Sequence, residues 1–129
     1  MKSYRPGGRR QAAERHGRWA ETVAAWWLRL KGYRILERGL SQGRGSGAGQ
    51  IDIVARRAGV VAFVEVKARA DLAQAAESLG FNQRRRIARA AEAYAARRVG
   101  LAGCCFRFDV VLVAPGRLPR HLPDAWRME

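Results

Sequence analysis

The sequence predicts one α/β domain in which helices flank a mixed β-sheet. A helical pattern comes first, three strand-like runs follow, and two further helical patterns precede a last strand-like run at residues 104–113. A hairpin that leads through helices to another strand implies that this strand joins the same sheet. With 129 residues, the chain is long enough to bury a core without disulfides.

The first helix follows a basic segment. Residues 1–16 cannot bury enough apolar surface to fold alone, so we expect a basic flexible arm, with a helix start as early as Arg9. From Arg18 to Lys31 the apolar residues recur with helical period, and Gly32 is a stop signal. We place the folded domain at residues 17–114 and an irregular C-terminal tail at residues 115–129.

The other elements follow from composition and periodicity. Five glycines among the eleven residues 39–49 predict a loop. The remaining predictions, in chain order, are a short strand at 33–37, a hairpin at 51–67, a short helix at 71–79, a longer helix at 82–99 and a strand at 104–113.

The hairpin contains acidic residues in otherwise apolar strands. If Ala58 and Gly59 form a two-residue loop, paired positions sum to 117, and Asp52 lies opposite Glu65. Alternation then places Glu65 and Lys67 on one face with Asp52. Opposed like charges destabilise a sheet, so we expect a shared proton, a nearby cation or a bound metal. Two carboxylates and a lysine at one end of a sheet suit nuclease chemistry.

The charge balance points to a polyanionic partner. The chain has 25 Lys and Arg against 11 Asp and Glu, a net charge of +14, which makes nucleic acid the first candidate. A highly charged protein from an Arg-rich proteome is the alternative interpretation. No apolar run approaches the ~18 residues of a membrane span. The N-terminus has no apolar segment of the kind that a secretory signal requires. Cys104 is adjacent to Cys105, a spacing that suits neither a disulfide nor a zinc site, so we expect both to be reduced and the protein to be cytoplasmic.

Five pieces of the sequence, in order, resemble the YraN family of bacterial proteins. That family is itself similar to archaeal Holliday-junction resolvases and to the PD-(D/E)xK nuclease superfamily. The pieces are Gly17-x-x-Ala-Glu21, Gly49-Gln-Ile-Asp52, Phe63-Val-Glu65-Val-Lys67, the Arg-rich helix and Arg107-Phe-Asp109-Val-Val. The resemblance covers residues 17–113 and implies a restriction-endonuclease-like fold.

The resemblance also implies roles for individual residues. Asp52 and Glu65 would bind one or two Mg²⁺ or Mn²⁺ ions, with Gln50 as a further metal ligand. Glu21 would add a carboxylate from the first helix, and Lys67 would orient the attacking water. DNA is the expected substrate, branched DNA in particular, and related enzymes that cut junctions work as homodimers. The expected nucleic-acid-binding residues are Gln83, Arg84, Arg85, Arg86 and Arg89.

Two positions depart from the family pattern. Gln50 occupies a position where the family usually has glutamate, and Gln83 one where it tends to have lysine. Both changes remove charge, so a nucleic-acid-binding protein without catalysis is the alternative function.

Each candidate also has a purely structural interpretation. Glu65 and Lys67 could form a surface ion pair, Asp52 could cap the Gly-rich loop, and Glu21 could face solvent. Asp109 lies beside Arg107 in an apolar strand, and we expect it to be structural.

Overall fold

The computed structural model describes the backbone of residues 6–41, 50–68 and 80–127, and the side chains of all of these except 6–16 and 41. In this part of the chain the elements, in order, are α1 (Pro6–Leu30), β1 (Arg34–Ser41), β2 (Gln50–Arg57), β3 (Val60–Lys67), α2 (Phe81–Ala96), a 3₁₀ turn (Val99–Leu101), β4 (Cys105–Leu112) and β5 (Arg120–Trp126).

The strands form one mixed sheet in the order β1-β2-β3-β4-β5. Neighbouring strands are antiparallel except β3 and β4, which run parallel with Val60 beside Cys105 and Lys67 beside Leu112. The return from β3 to β4 passes through α2, as a parallel connection requires. The prediction of a mixed α/β sheet is confirmed.

The sheet lies between two apolar cores, one beneath each helix. On one face, Ala24 and Leu28 of α1 pack in a cluster with Ile53 and Val64 of the sheet. On the other face, Phe63 of the sheet packs in a cluster with the buried residues of α2, which are Ile87, Ala90, Ala91 and Tyr94. Helices therefore cover both faces of the sheet, and β2 and β3 contribute side chains to both cores.

Helix α1 ends where the sequence predicts. Gly32 has φ +94°, a conformation that L side chains rarely adopt. The Gly32 N–H donates to the Arg29 carbonyl and the Tyr33 N–H donates to the Leu28 carbonyl, both at 3.0 Å. These two bonds form a Schellman motif, which satisfies the last helical carbonyls and turns the chain into β1.

Several predicted boundaries are wrong. Residues 6–16, expected in the flexible arm, lie in α1, and β1 continues through Ser41 into the expected loop. The tail expected to be irregular contains β5, which pairs antiparallel with β4. The predicted helix at residues 71–79 lies outside the described residues, as do residues 42–49. No described helix combines the length and the apolar character that crossing a bilayer requires.

Candidate functional site

Asp52 lies where the ladder between β2 and β3 ends. The pairs run from Arg57 opposite Val60 to Ile53 opposite Val64, and every pair sums to 117 as predicted. At the next position the Asp52 side chain replaces the backbone as acceptor, because the Val66 N–H donates to Asp52 Oδ2 at 2.8 Å. This bond fixes one carboxylate oxygen to the neighbouring strand.

Glu65 shares a hydrogen bond with Asp52, and the two carboxyl groups compete for one proton. Burial, the Asp52 charge and the hydrogen bond with Asp52 together raise the pKa of Glu65 to about 8, against the opposing charge of Lys67. Burial also raises the pKa of Asp52, but the Val66 N–H favours its charged form. We therefore assign the shared proton to Glu65, with Asp52 as the ionised partner.

Helix α1 brings a third carboxyl group to this end of the sheet. Burial raises the pKa of Glu21, and the charge of Asp52 raises it again, while the guanidinium of Arg38 lowers it. Arg38 itself donates from Nη2 to Thr22 Oγ1 at 3.0 Å, which attaches β1 to α1 beside Glu21. Sequence reasoning missed Arg38. The only available signal was a basic residue directly after the strand predicted at 33–37.

Lys67 is a cation beside the paired carboxyl groups. Its Nζ lies 3.8 Å from Glu65 Oε1, and the two side chains are only 17% and 11% exposed. The pair is therefore mostly buried, unlike the exposed surface pair that was the alternative interpretation. At 3.8 Å the contact is too long for a hydrogen bond, so the ammonium retains donors for an anion.

Gln50 begins β2, where it pairs with Ser41. Its side chain is exposed and lies over Gly39, since a Cβ added to Gly39 would be 3.7 Å from Gln50 Nε2. Ile51 packs in the α2 core and Ile53 in the α1 core. Residues two apart share a face in a regular strand, so β2 is irregular at Asp52 and alternation alone does not place Gln50 beside it.

The chemistry of Asp52 and Glu65 fits a hard divalent cation. Two adjacent carboxyl groups, of which Asp52 raises the pKa of Glu65, provide the oxygen donors and the negative charge that Mg²⁺ or Mn²⁺ prefers. Within the described ranges, no group of three or more His, Cys, Asp and Glu side chains lies close enough together to hold an ion. The described residues therefore fit a site with two carboxylate ligands. At such sites Mg²⁺ ordinarily keeps several waters and binds substrate phosphate.

The predicted nucleic-acid-binding residues of α2 divide into a half-buried pair and an exposed set. Gln83 and Arg84 are partly buried, and Arg84 Nε has no hydrogen-bond partner among the residues that the structure describes. The exposed set lines a cavity of about 360 Å³ at the start of the helix, together with Asn82, and consists of Arg85, Arg86 and Arg89. No acidic residue lies in the first turn of α2.

Asp109 is structural, in agreement with the expectation. It is fully buried and accepts hydrogen bonds from the side chains of Arg107 and His121 and from the Asp124 N–H. Burial acts to raise its pKa, but these bonds outweigh it and hold the pKa below its ordinary value. His121 was missed because it lies in the tail that the sequence predicts to be irregular. Lys31 of the first helical segment contacts its other ring nitrogen.

Comparison with known proteins identifies close relatives of this chain. Residues 20–113 match the family model described as uncharacterised protein family UPF0102. A UPF0102 protein of Paramagnetospirillum magneticum is 64% identical over 129 residues, which is 100% of both chains. One from Maricaulis maris is 49% identical over 91% of this chain and 89% of its own length. Another from Methylorubrum extorquens is 47% identical over 96% of this chain and 94% of its own. None of these names specifies an activity.

Proposed function

The chain belongs to UPF0102, also called the YraN family, and we propose that it is a metal-dependent endonuclease that hydrolyses phosphodiester bonds in DNA. One observation supports this proposal above the others. Asp52 and Glu65 share a hydrogen bond, and burial together with their mutual repulsion raises the pKa of Glu65 to about 8. A site with surplus negative charge beside a lysine is suited to a divalent cation and a phosphate.

The roles of the side chains follow from their environments. Asp52 and Glu65 would hold the cation, and a bound cation supplies charge neutralisation at the phosphate and a more acidic water. Asp52 offers an oriented oxygen because the Val66 N–H holds the other side of its carboxylate. Glu65 must release its proton before it can serve as an ionised ligand. Lys67, with donors left unused by its 3.8 Å contact, would stabilise charge on the phosphate.

Net charge and the basic cavity support DNA as the substrate. The net charge of +14 attracts a polyanion, and Arg85, Arg86 and Arg89 expose guanidinium groups around one cavity. Guanidinium groups bind phosphate oxygens in a bidentate manner. The resemblance to junction resolvases makes branched DNA the first substrate to test.

The test is cleavage of a labelled four-way junction in Mg²⁺ or Mn²⁺. We expect wild-type protein to cut the junction and Asp52→Asn, which keeps an oxygen for the Val66 N–H, to reduce cutting to background. Leu118→Ala is the control, because Leu118 is 79% exposed and lines neither the basic cavity nor the carboxyl site, and it should cut like wild type. Equal cutting by wild type and Asp52→Asn would assign the activity to a contaminant and refute the proposal.

A nucleic-acid-binding protein without catalysis is the second candidate. The observation that favours it is Gln50, a neutral exposed side chain where the resemblance leads us to expect a carboxylate. This candidate predicts steeply salt-dependent DNA binding that Asp52→Asn leaves unchanged, and no Mn²⁺ binding by calorimetry with or without DNA. Mn²⁺ binding that is lost in Asp52→Asn would decide for the nuclease.

A further inference from the structure

An open groove lies on the α2 side of the sheet. Its volume is about 1140 Å³, and it is bordered by α2, the 3₁₀ turn, β4 and β5. One end reaches Val60 at the start of β3, whereas Lys67 is at the other end of that strand. The groove also includes Phe63, which lies two positions before Glu65 on this strand, about 7 Å away at 3.3 Å per residue. The groove thus approaches the carboxyl groups along β3, but none of the candidate metal-site residues lines it.

The floor of the groove is a connected group of aromatic rings. Phe63 lies 5.8 Å from Phe106 and 5.9 Å from Phe108, measured between ring centroids, and Phe108 stacks on Trp126 at 4.0 Å. Phe106 is 46% exposed although the other three rings are largely packed. The ring of Phe106 therefore presents an accessible flat surface that its neighbours hold in place.

The size and the charges of the groove narrow the class of ligand. Pockets for single small molecules range from about 300 to 1,000 Å³, so a groove of this volume suits a chain-like ligand. The arginines at its rim already have acidic partners, which are Glu37 for Arg98, Asp109 for Arg107 and Asp124 for Arg127. The groove itself therefore favours the flat, uncharged parts of a ligand.

Three arginines lie next to the groove on the same side of α2. Arg85 and Arg89 line the basic cavity, and Glu92 and Ala96 line the groove. These positions are three or four residues apart, so they form one stripe along the helix, about 16 Å long at 1.5 Å per residue. Among the described residues, Arg85, Arg86 and Arg89 make no salt bridge. Charged contacts at one end are thus followed by aromatic contacts at the other.

We propose that this surface binds single-stranded DNA, with the phosphates on the arginines at the start of α2 and the unstacked bases in the groove on Phe106. Basic residues that follow the backbone, combined with aromatic rings that stack the bases, are the usual means of binding single strands. A duplex cannot use the groove because its bases are stacked inside. The proposal rests on the proposed function for its choice of nucleic acid, and it adds a substrate class: DNA with an unpaired arm beside the duplex that is cut.

The test measures binding in EDTA, without cleavage, by fluorescence anisotropy. The probes are a labelled oligothymidine strand and a duplex of the same length. We expect Phe106→Ala to weaken single-strand binding about tenfold, within the range for loss of one stacked base, and to leave duplex binding unchanged. Phe106→Leu should behave like Phe106→Ala, because it keeps apolar area and loses the ring. Leu118→Ala, which removes a 79% exposed side chain outside the groove, should match wild type on both probes.

Three outcomes would overturn the proposal. The first is that Phe106→Ala binds the single strand as tightly as wild type does, and the second is that it loses as much affinity for the duplex as for the single strand. The third is a wild-type dimer that Phe106→Ala converts to a monomer, which would assign the groove to a second copy of the chain. Failure of the nuclease proposal is recognised separately. If Phe106→Ala weakens single-strand binding but the wild type cuts no junction, the groove proposal stands and the nuclease proposal fails. If the wild type cuts the junction and Phe106→Ala binds single strands as wild type does, the nuclease proposal stands and the groove proposal fails.

Discussion

The Val66 N–H donates a hydrogen bond to Asp52 Oδ2 at 2.8 Å, just beyond the last backbone pair between β2 and β3. A side-chain carboxylate thus accepts the bond that a strand carbonyl would otherwise accept. The bond stabilises the charged form of Asp52 against the effect of burial. The proton that the two carboxyl groups share is then left to Glu65, whose pKa is raised to about 8 by burial and by the neighbouring Asp52.

The raised pKa of Glu65 makes stability depend on pH. Because the folded pKa of about 8 exceeds the ordinary value of 4.5, the protonated form stabilises the fold at low pH. This contribution is lost as pH rises from about 4.5 through 8. Glu65→Gln mimics the protonated carboxyl group, so we expect it to match wild type near pH 5 and to be roughly 2–4 kcal/mol more stable near pH 9. Urea denaturation at both pH values measures the difference.

Glu92→Gln is the control for this experiment. Glu92 is an exposed residue of α2, so its substitution should shift stability equally at both pH values. A Glu65→Gln variant whose advantage over wild type is the same at low and high pH would show that Glu65 does not bind the shared proton.

Metal binding should release the same proton. If Mn²⁺ binds between Asp52 and Glu65, it must displace the proton on Glu65. The apparent affinity should then rise about tenfold per pH unit below pH 8 and level off above it. Calorimetry in buffers with different ionisation enthalpies counts the protons released, and we expect close to one near pH 6.5, on the linkage argument. In Glu65→Gln the proton release should disappear, whereas binding that is independent of pH in wild type would contradict the assignment.

Local patterns in the sequence were sufficient for the central part of the fold. The Ala58-Gly59 turn and the apolar runs on either side determine the register, and the structure has the predicted sum of 117 in all five pairs. Gly32 ends the first helix with a positive φ, as its position predicts. In both cases the backbone geometry depends on residues next to each other in the chain, so a sequence pattern carries the information.

Features that depend on distant contacts could not be predicted. The last strand contains Pro123 and few apolar residues, so its pattern does not suggest a strand. It forms because Asp109, buried on β4, accepts hydrogen bonds from His121 and from the Asp124 N–H across the sheet. For the candidate site, the register predicts that Asp52 and Glu65 are neighbours, but the bond from Val66 and the proximity of Arg38 to Glu21 depend on tertiary packing.

Removal of the Asp109 charge should destabilise the fold strongly. Asp109→Asn would leave Arg107 and the almost fully buried His121 without an anionic partner, and breaking such a pair costs about 3–5 kcal/mol. The folded pKa of Asp109 is lowered, so its contribution is present above the ordinary value of 3.8 and is lost as pH falls below that. The difference between Asp109→Asn and wild type should therefore shrink in acid, as measured by urea denaturation.

Glu37→Gln is the matched comparison for Asp109→Asn, because it breaks the exposed ion pair with Arg98 at the same 2.7 Å separation. Exposed pairs contribute at most about 1 kcal/mol, so the loss should be small. Equal losses in the two variants would show that burial does not determine the contribution of Asp109.

The hairpin turn offers a site for stabilisation. Ala58 has φ +53°, in the left-handed region that costs an L-residue roughly 1–2 kcal/mol. Glycine removes this strain but loses about 0.5–1 kcal/mol in entropy, so we expect Ala58→Gly to raise the free energy of unfolding slightly, by up to about 1 kcal/mol. Ala102→Gly is the control, since Ala102 is also exposed but has φ −61°, where alanine is unstrained and glycine should destabilise. Urea denaturation gives the free energy of unfolding of both variants. A gain for Ala58→Gly with a loss for Ala102→Gly supports strain at Ala58, whereas equal destabilisation of both would mean that Ala58 adopts its conformation at no cost.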